Sequence, residues 1–90
     1  MTEQQPVCVI NGVGPGNGAA FARRFAAGGY RVALIARSAA TTRPLAEEIG
    51  EQARAYDCDL EDPEAIGETF ARIERELGPV DTLLHNAGAG

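Results

Sequence analysis

The chain has no lysine, and its sequence lacks the patterns typical of secretion, of membrane insertion and of binding to nucleic acid. All 8 basic residues are arginine and 13 residues are acidic, which gives a formal net charge of −5. An acidic chain has no general attraction for nucleic acid or for an anionic membrane, so we expect neither as a partner. No apolar run approaches the roughly 18 residues of a membrane span. Residues 1–6 lack the basic and apolar regions of a secretory signal. We therefore expect a cytoplasmic protein.

Cysteine is scarce and is not arranged as a metal or redox motif. The 2 cysteines, Cys8 and Cys58, lie far apart, each in or beside an apolar run. The sequence has no C-x-x-C pair and no Cys/His cluster. We expect two reduced, largely buried thiols, with a disulfide or a metal pair as the alternative.

Size and composition are those of one folded domain. The chain has 90 residues, of which 44% are hydrophobic and 23% charged. These fractions are ordinary for a soluble globular protein and do not fit intrinsic disorder. We expect residues 1–90 to form a single domain or part of one.

Short apolar runs alternate with helical patterns along the chain. In chain order the prediction is a strand at 7–10, a helix at 17–27, a strand at 32–36, a helix at 41–49, a strand at 53–56, a helix at 63–77 and a strand at 80–85. Pro44 fits only the first turn of the second helix or a kink, which moves the expected start toward Thr42. Asp62 and Pro63 mark the start of the third helix.

This alternation predicts a three-layer α/β fold around a parallel sheet in the order 3-2-1-4. Two helices are expected on one face and the third on the other. Ligands of such sheets bind at the carboxyl ends of the strands, where the strand order reverses between strands 1 and 4. Strand 4 would be an open apolar edge. We therefore expect the isolated chain to self-associate there, to be marginally stable, or to be part of a longer product.

The turn after the first strand is unusually rich in glycine, and it opens a helix. Gly12 permits a tight turn, Gly16 allows close approach of a pyrophosphate, and Gly18 lets the helix lie close to the sheet. The free N–H groups at the start of that helix favour phosphate. The alternative is a loop that serves only to reverse the chain.

The spacing of these glycines is G-x-x-x-G-x-G, because position 17 is Asn17 rather than glycine. In this the chain resembles the common, non-extended members of the short-chain dehydrogenase/reductase family, which usually carry Thr where this chain has Asn11. The segment 85–88, His-Asn-Ala-Gly, looks like the Asn-Asn-Ala-Gly motif of the family, and Asp59-Leu60 looks like its adenine-binding pair. The resemblance covers essentially the whole chain and implies a Rossmann-like fold.

The resemblance also implies a set of cofactor-binding residues. Those around the glycine turn and after the third and fourth strands are Gly12, Gly14, Pro15, Gly16, Asn17, Gly18, Asp59, Leu60, Asn86, Ala87 and Gly88. Asp59 has the alternative role of a loop acid that caps the next helix. Asn86 has the alternative role of a structural amide between strands.

The end of the second strand predicts which nicotinamide cofactor is bound. NAD sites usually place a carboxylate there, whereas this chain has Ala36 followed by Arg37 and Ser38. An arginine can hold a 2′-phosphate with its fork of donors, and a serine can add one hydrogen bond. We therefore prefer NADP(H) to NAD(H), although Pro15 occupies a position where many NADP-using relatives have a base. The alternative is that Arg37 is a solvated charge at the end of the strand.

The resemblance implies an oxidoreductase whose chemistry uses a Ser, a Tyr and a Lys four residues after the Tyr. Neither Tyr30 nor Tyr56 has such a lysine, and the one serine, Ser38, is assigned to the cofactor. His85 is expected to pack beside the glycine motif rather than to act as a base. We predict the cofactor-binding half of a reductase. The alternatives are a non-catalytic dinucleotide-binding module and a truncated gene product.

Overall fold

The computed structural model of the chain describes residues 5–12 and 17–85. Strands and helices alternate along these residues: β1 (Val7–Asn11), α1 (Asn17–Ala27), β2 (Arg31–Ala36), α2 (Ala39–Ile49), β3 (Ala53–Asp57), α3 (Pro63–Glu76) and β4 (Val80–His85). The element order is the predicted one, and most boundaries agree with the prediction within one residue.

All four strands belong to one parallel sheet in the order β3-β2-β1-β4. Val9 on β1 is in register with Ala33 on β2 and with Leu83 on β4. The sheet order 3-2-1-4 is therefore confirmed, and the strand order reverses between β1 and β4. In parallel sheets of this kind, the crevice at the carboxyl ends of those two strands is the usual ligand site.

The helices divide between the two faces of the sheet as predicted. On one face, α1 and α2 pack on alternate residues of β1 and β2, forming a cluster of Cys8, Ile10, Ala19, Ala22, Val32, Leu34 and Leu45. On the other face, α3 packs on the remaining strand residues, forming a cluster of Val7, Val9, Ala33, Ile35, Tyr56, Cys58, Ile73 and Leu77. Both faces of β1 and β2 are thus covered, as a central parallel strand requires.

The third helix begins where the sequence predicts. The Asp62 side chain accepts a hydrogen bond of 3.1 Å from the Glu64 backbone N–H, and Pro63 is the first helical residue. The pattern of apolar residues turns Ile73 fully inward, while Ile66 and Phe70 pack half-buried around it. This periodic stripe fixes the helix against the sheet.

The second helix begins earlier than predicted. It starts at Ala39, because the Ser38 Oγ accepts a 3.2 Å hydrogen bond from the Ala40 N–H and caps the helix. Pro44 therefore lies inside the helix and not in its first turn, so the expectation of a start near Thr42 was wrong. Proline removes one backbone hydrogen bond from the helix interior, and burial of Leu45 on the inner side contributes packing in favour of the helix.

The first helix packs on the sheet mainly through small residues, and only one of its two phenylalanines is partly buried. Phe21 is 43% exposed, although its spacing from Phe25 predicts that the two share the buried side. Ala19 and Ala22 face the sheet instead. Phe25 is half-buried and meets the Tyr30 ring edge-on, with the ring centroids 4.9 Å apart. Short side chains let this helix lie close to the strands, which leaves a bulky Phe21 at the margin.

The two cysteines are free and buried, which agrees with the prediction. Cys8 belongs to the cluster under α1 and α2, whereas Cys58 belongs to the cluster under α3. They lie on opposite faces of the sheet, so a disulfide between them is ruled out by the fold. Burial raises the pKa of the Cys8 thiol to about 11, which makes it unreactive near neutral pH.

The fourth strand is an open edge. Among the described strands β4 pairs with β1 alone, and its Leu83 is 52% exposed beside the fully buried Val9. The predicted open edge is confirmed for this part of the chain. Self-association at that edge, marginal stability and continuation into a longer product all stay predictions.

Candidate cofactor site

A buried polar side chain lies where β1 ends. Asn11 is in register with Ile35 on β2 and with His85 on β4, and it is only 7% exposed. Its Oδ1 has no hydrogen-bond partner among the residues that the structure describes. A buried acceptor normally has a donor, because an unpaired one costs about 1–3 kcal/mol. The crevice at the strand-order reversal therefore contains an acceptor that is open to a further donor.

Two glycines of the turn after β1, Gly12 and Gly18, lie among the described residues. Gly12 has a φ of 75°, in the left-handed region that favours glycine, and its N–H donates a 2.9 Å hydrogen bond to the Ile35 carbonyl. Gly18 is buried in the first turn of α1, which begins at Asn17. The first N–H groups of α1 have no partner within the helix, so they are available to accept an anion as hydrogen-bond partner. Gly14, Pro15 and Gly16 lie outside the described residues.

Arg37 and Ser38 follow β2 directly and lie at the same edge of the sheet. The Arg37 side chain is 74% exposed, and its Nη2 lies 3.7 Å from Oε2 of Glu61. An exposed pair at this distance contributes little to stability, so the guanidinium is available for a stronger anion. Ser38 Oγ already accepts from the Ala40 N–H, which leaves its hydroxyl proton free to be donated. The two side chains form a donor pair suited to a phosphate.

Asp59 and Leu60 form the turn between β3 and α3. The Asp59 Oδ1 accepts a 3.0 Å hydrogen bond from the Glu61 N–H, and its carbonyl accepts one of 3.0 Å from the Asp62 N–H. The cap of α3 is Asp62, so Asp59 shapes the turn before the helix and does not cap it. Leu60 packs half-buried against the cluster under α3.

The predicted segment after β4 is only partly described. His85 is the last residue of β4 and is exposed, in register with Asn11. Its expected packing against the following motif is not tested, because Asn86, Ala87 and Gly88 lie outside the described residues. The structure thus brings the ends of β1 and β4 together, and the candidates for phosphate and adenine binding follow β2 and β3 at the same edge of the sheet.

A polar network that the sequence does not reveal holds β3 to α3. The Tyr56 hydroxyl donates a 2.8 Å hydrogen bond to Oε1 of Glu76, and the same carboxylate accepts from Arg54 and Arg72, at 3.2 Å each. These bonds, the one from Tyr56 first, lower the pKa of Glu76 to about 2. Glu76 lies 20 residues after Tyr56, and no local motif signals that contact.

This network removes Tyr56 from the possible catalytic groups. Burial, followed by the hydrogen bond to Glu76, raises the pKa of Tyr56 to about 12. A general acid or base works best with a pKa near the working pH, and this shift is in the wrong direction. In residues 5–12 and 17–85, moreover, no three His, Cys, Asp or Glu side chains converge as a metal site requires.

The donor set fits a dinucleotide. A helix that begins beside a glycine turn suits a pyrophosphate, and the Arg37–Ser38 pair suits one more phosphate. The Asn11 Oδ1, which has no partner among residues 5–12 and 17–85, belongs to the last residue of β1, at the carboxyl edge of the sheet. No helix in the described ranges is long and apolar enough to cross a lipid bilayer.

Comparison with known proteins gives one consistent result. A family model described as short chain dehydrogenase matches residues 6–90. Among curated proteins, the mouse 3-oxoacyl-[acyl-carrier-protein] reductase is 35% identical over 82 residues, which cover 91% of this chain and 35% of the mouse protein. The Acinetobacter baylyi fatty acyl-CoA reductase is 38% identical over 85 residues, covering 91% of this chain and 29% of that protein. The chain thus spans about a third of the length of these relatives.

Solved structures give the same picture. The crystal structure of a metagenomic short-chain oxidoreductase in complex with NADP superposes with a TM-score of 0.88 at 36% identity, covering 97% of this chain and 41% of that one. A 3-ketoacyl-(acyl-carrier-protein) reductase from Brucella melitensis complexed with NADH gives a TM-score of 0.83 at 32% identity, covering 91% of this chain and 34% of that one. Similar proteins therefore bind one or the other dinucleotide.

Proposed function

Because the chain belongs to the short-chain dehydrogenase family, we propose that it provides the NADP(H)-binding part of a reductase or dehydrogenase. In the complete protein, hydride would pass between the nicotinamide and a carbonyl or alcohol carbon. The observation that carries the cofactor choice is the Arg37–Ser38 pair after β2, where an NAD site would usually have a carboxylate.

Each group of residues has a separate role in this proposal. The turn after β1 and the start of α1 hold the pyrophosphate, through Gly12, Gly14, Pro15, Gly16, Asn17 and Gly18. Asp59 and Leu60 lie beside the adenine, and the segment Asn86, Ala87 and Gly88 lies beside the ribose. Arg37 and Ser38 bind the 2′-phosphate: the guanidinium donates from its fork, and the Ser38 hydroxyl donates its proton while its oxygen still caps α2.

Bound NADPH supplies the hydride, and the residues of this chain hold the cofactor in place. They include no suitable acid or base: the sequence has no lysine, and the Tyr56 hydroxyl is committed to Glu76. The acid–base group would belong to the part of the complete protein that corresponds to the remaining length of the relatives. The names of those relatives, an acyl-carrier-protein reductase and an acyl-CoA reductase, support a carbonyl compound as the substrate class.

Isothermal titration of the purified chain with NADP+ and NAD+, in a buffer low in phosphate, tests the cofactor choice. We expect tighter binding of NADP+. The variant Arg37→Ala should weaken NADP+ binding about 10- to 150-fold, because hydrogen bonds to a charged group contribute about 1.5–3 kcal/mol, and should change NAD+ binding little. Arg75→Ala removes the same charge in the last turn of α3 and should leave both affinities unchanged. Equal or tighter binding of NAD+ would contradict the proposal.

One observation favours a second function, a dinucleotide-binding module that transfers no hydride. The chain lacks lysine, and Tyr56 has a raised pKa, so the residues in hand bind without supplying a proton. Under this alternative the chain binds NADP+ but does not oxidise NADPH in the presence of a β-keto thioester. Turnover by the purified chain would exclude it.

A further inference from the structure

The loops that follow β2 and β3 lie side by side at the carboxyl edge of the sheet. Ala36 and Asp57 are partners in the parallel ladder, and the Cys58 N–H continues it with a 2.9 Å hydrogen bond to the Ala36 carbonyl. This bond places the β3–α3 turn next to Arg37, which follows Ala36. An acidic side chain in that turn can therefore form an ion pair with Arg37, the residue that we assign to the 2′-phosphate.

Glu61 is the acid that faces Arg37. Its backbone is fixed by the 3.0 Å hydrogen bond from its N–H to Oδ1 of Asp59, and its Oε2 lies 3.7 Å from Nη2 of Arg37. The other acids of the turn have different tasks, since Asp59 accepts from Glu61 and Asp62 caps α3. Of the acids in this turn, Glu61 is thus the one paired with the arginine at the end of β2.

The pair is loose enough to exchange. The side chains of Arg37 and Glu61 are 74% and 82% exposed, and 3.7 Å is longer than a charge-assisted hydrogen bond. A phosphate monoester carries about −1.5 to −2 charges near neutral pH and offers three acceptor oxygens. It is therefore a stronger partner for a guanidinium than a single carboxylate is.

We propose that Glu61 is a specificity-determining residue, which competes with the 2′-phosphate of the cofactor for Arg37 and so limits the preference for NADP(H) over NAD(H). This inference rests on the proposed function, because it assigns Arg37 to the 2′-phosphate. When the ligand has no 2′-phosphate, Glu61 keeps its pair with Arg37. When the phosphate arrives, it must displace the carboxylate from the guanidinium. Removing the Glu61 charge therefore favours only ligands that carry the phosphate.

The test compares two adenosine ligands that differ by that phosphate alone, 2′,5′-ADP and 5′-AMP, by isothermal titration of the whole chain. Exposed ion pairs contribute about 0.2–1 kcal/mol, so Glu61→Gln should tighten 2′,5′-ADP binding about 1.4- to 5-fold and leave 5′-AMP unchanged. Glu61→Lys should tighten it further. Glutamine keeps the backbone hydrogen bond to Asp59, so the turn is preserved, and circular dichroism checks the fold.

Two controls separate competition for Arg37 from a general effect of charge. Glu64→Gln changes the net charge equally, in the first turn of α3, and should not change the ratio of the two affinities. In an Arg37→Ala background, Glu61→Gln should no longer tighten 2′,5′-ADP binding, because the guanidinium for which the carboxylate and the phosphate compete is absent.

The possible results distinguish this inference from the proposed function. If the unmodified chain binds 2′,5′-ADP no better than 5′-AMP, the assignment of Arg37 fails and the role of Glu61 fails with it. If Arg37→Ala abolishes the preference but Glu61→Gln does not change it, the cofactor site stands and the inference about Glu61 is wrong. An equal gain from Glu64→Gln, or a gain that persists without Arg37, would also overturn it.

Discussion

The strands β3 and β4 form the two edges of the sheet, and they are held in different ways. The β3 edge is anchored to α3 by the bonds of Tyr56 and Arg54 to Glu76, and Tyr56 is 2% exposed. On β4, residues alternate between half-buried and exposed, and Leu83 is 52% exposed. Within residues 80–85 the structure shows no matching side-chain hydrogen bond to a helix. Among the described residues, the β3 edge is therefore tied to a helix by side-chain hydrogen bonds, and the β4 edge is more exposed.

The same comparison locates the proposed cofactor site. The open edge and the reversal of strand order are both at β4, beside β1. The residues assigned to the 2′-phosphate and the adenine lie on the anchored side, after β2 and β3. The residues proposed for the adenosine part of the cofactor therefore follow strands that are covered on both faces or anchored by a helix, whereas β4 has an open edge among the described strands.

Replacing a leucine by alanine on a covered strand and on the open edge should give the largest difference in the free energy of unfolding. It is also the most direct test of the comparison between covered and open strands. Leu34→Ala, in the fully buried middle of β2, should lower the free energy of unfolding by about 2–5 kcal/mol because it leaves a cavity. Leu83→Ala, on the open edge, should lower it by less than about 1 kcal/mol. Urea denaturation of the two variants measures both. Equal losses would mean that β4 is as well covered as β2.

The anchor of β3 can be weakened without changing its packing. Tyr56→Phe removes one hydroxyl and should lower the free energy of unfolding by about 1–2 kcal/mol, because the hydroxyl is bonded to a charged group. Tyr30→Phe is the matched control, since no bond from the Tyr30 hydroxyl occurs among the described residues, and its cost should be close to zero. Similar urea midpoints for both variants would show that Glu76 does not anchor β3.

Low pH should weaken the contact between β3 and α3, because protonation of Glu76 removes the charge that its hydrogen-bond donors stabilise. The folded-state pKa of Glu76 is about 2, below its ordinary value of 4.5, so its contribution to stability is present above about pH 4.5 and is lost as the pH falls through about 2. The difference in urea midpoint between the unmodified chain and Glu76→Gln should shrink across that range. Glu51→Gln, at a position with no ion pair in the described residues, should show no such trend. A constant difference for Glu76→Gln would contradict the assigned pKa.

The smallest change in stability is expected at a buried position on α2, one of the helices that cover the sheet. Thr42 on α2 is fully buried, and its Oγ1 has no hydrogen-bond partner among the described residues. Thr42→Val keeps the shape and removes the unpaired hydroxyl, so it should leave stability unchanged or raise it by up to about 1 kcal/mol. Thr42→Ser keeps the hydroxyl and loses a methyl group, and should be destabilising. A clear loss of thermal stability in Thr42→Val would reveal a partner for that hydroxyl.

Some features of the fold followed directly from local sequence. Asp62 and Pro63 begin α3 because a side-chain acceptor and a residue without an N–H both suit the first turn. The apolar spacing on that helix placed Ile73 in the core. The second helix was less predictable: Pro44 argues for a later start, and the contribution of Ser38 as a cap becomes visible only with its hydrogen bond to Ala40.

Some features of the candidate site could likewise be predicted from the sequence, and others became visible only in the structure. The glycine turn and the Arg37–Ser38 pair could be assigned from sequence, because each depends on residues adjacent in the chain. The pairing of Arg37 with Glu61 could not, since it joins positions 24 residues apart through the register of two neighbouring strands. The same holds for Tyr56 and Glu76.

The amino-acid sequence by itself determined the alternation of strands and helices, because periodicity and capping are properties of consecutive residues. That alternation made the sheet order predictable, because crossovers between parallel strands are right-handed. Only the tertiary structure decided which charges meet, which phenylalanine is left exposed and which buried oxygens lack a partner. Those outcomes depend on how closely separate elements approach one another, and that distance is set by the packing of the whole sheet and its helices.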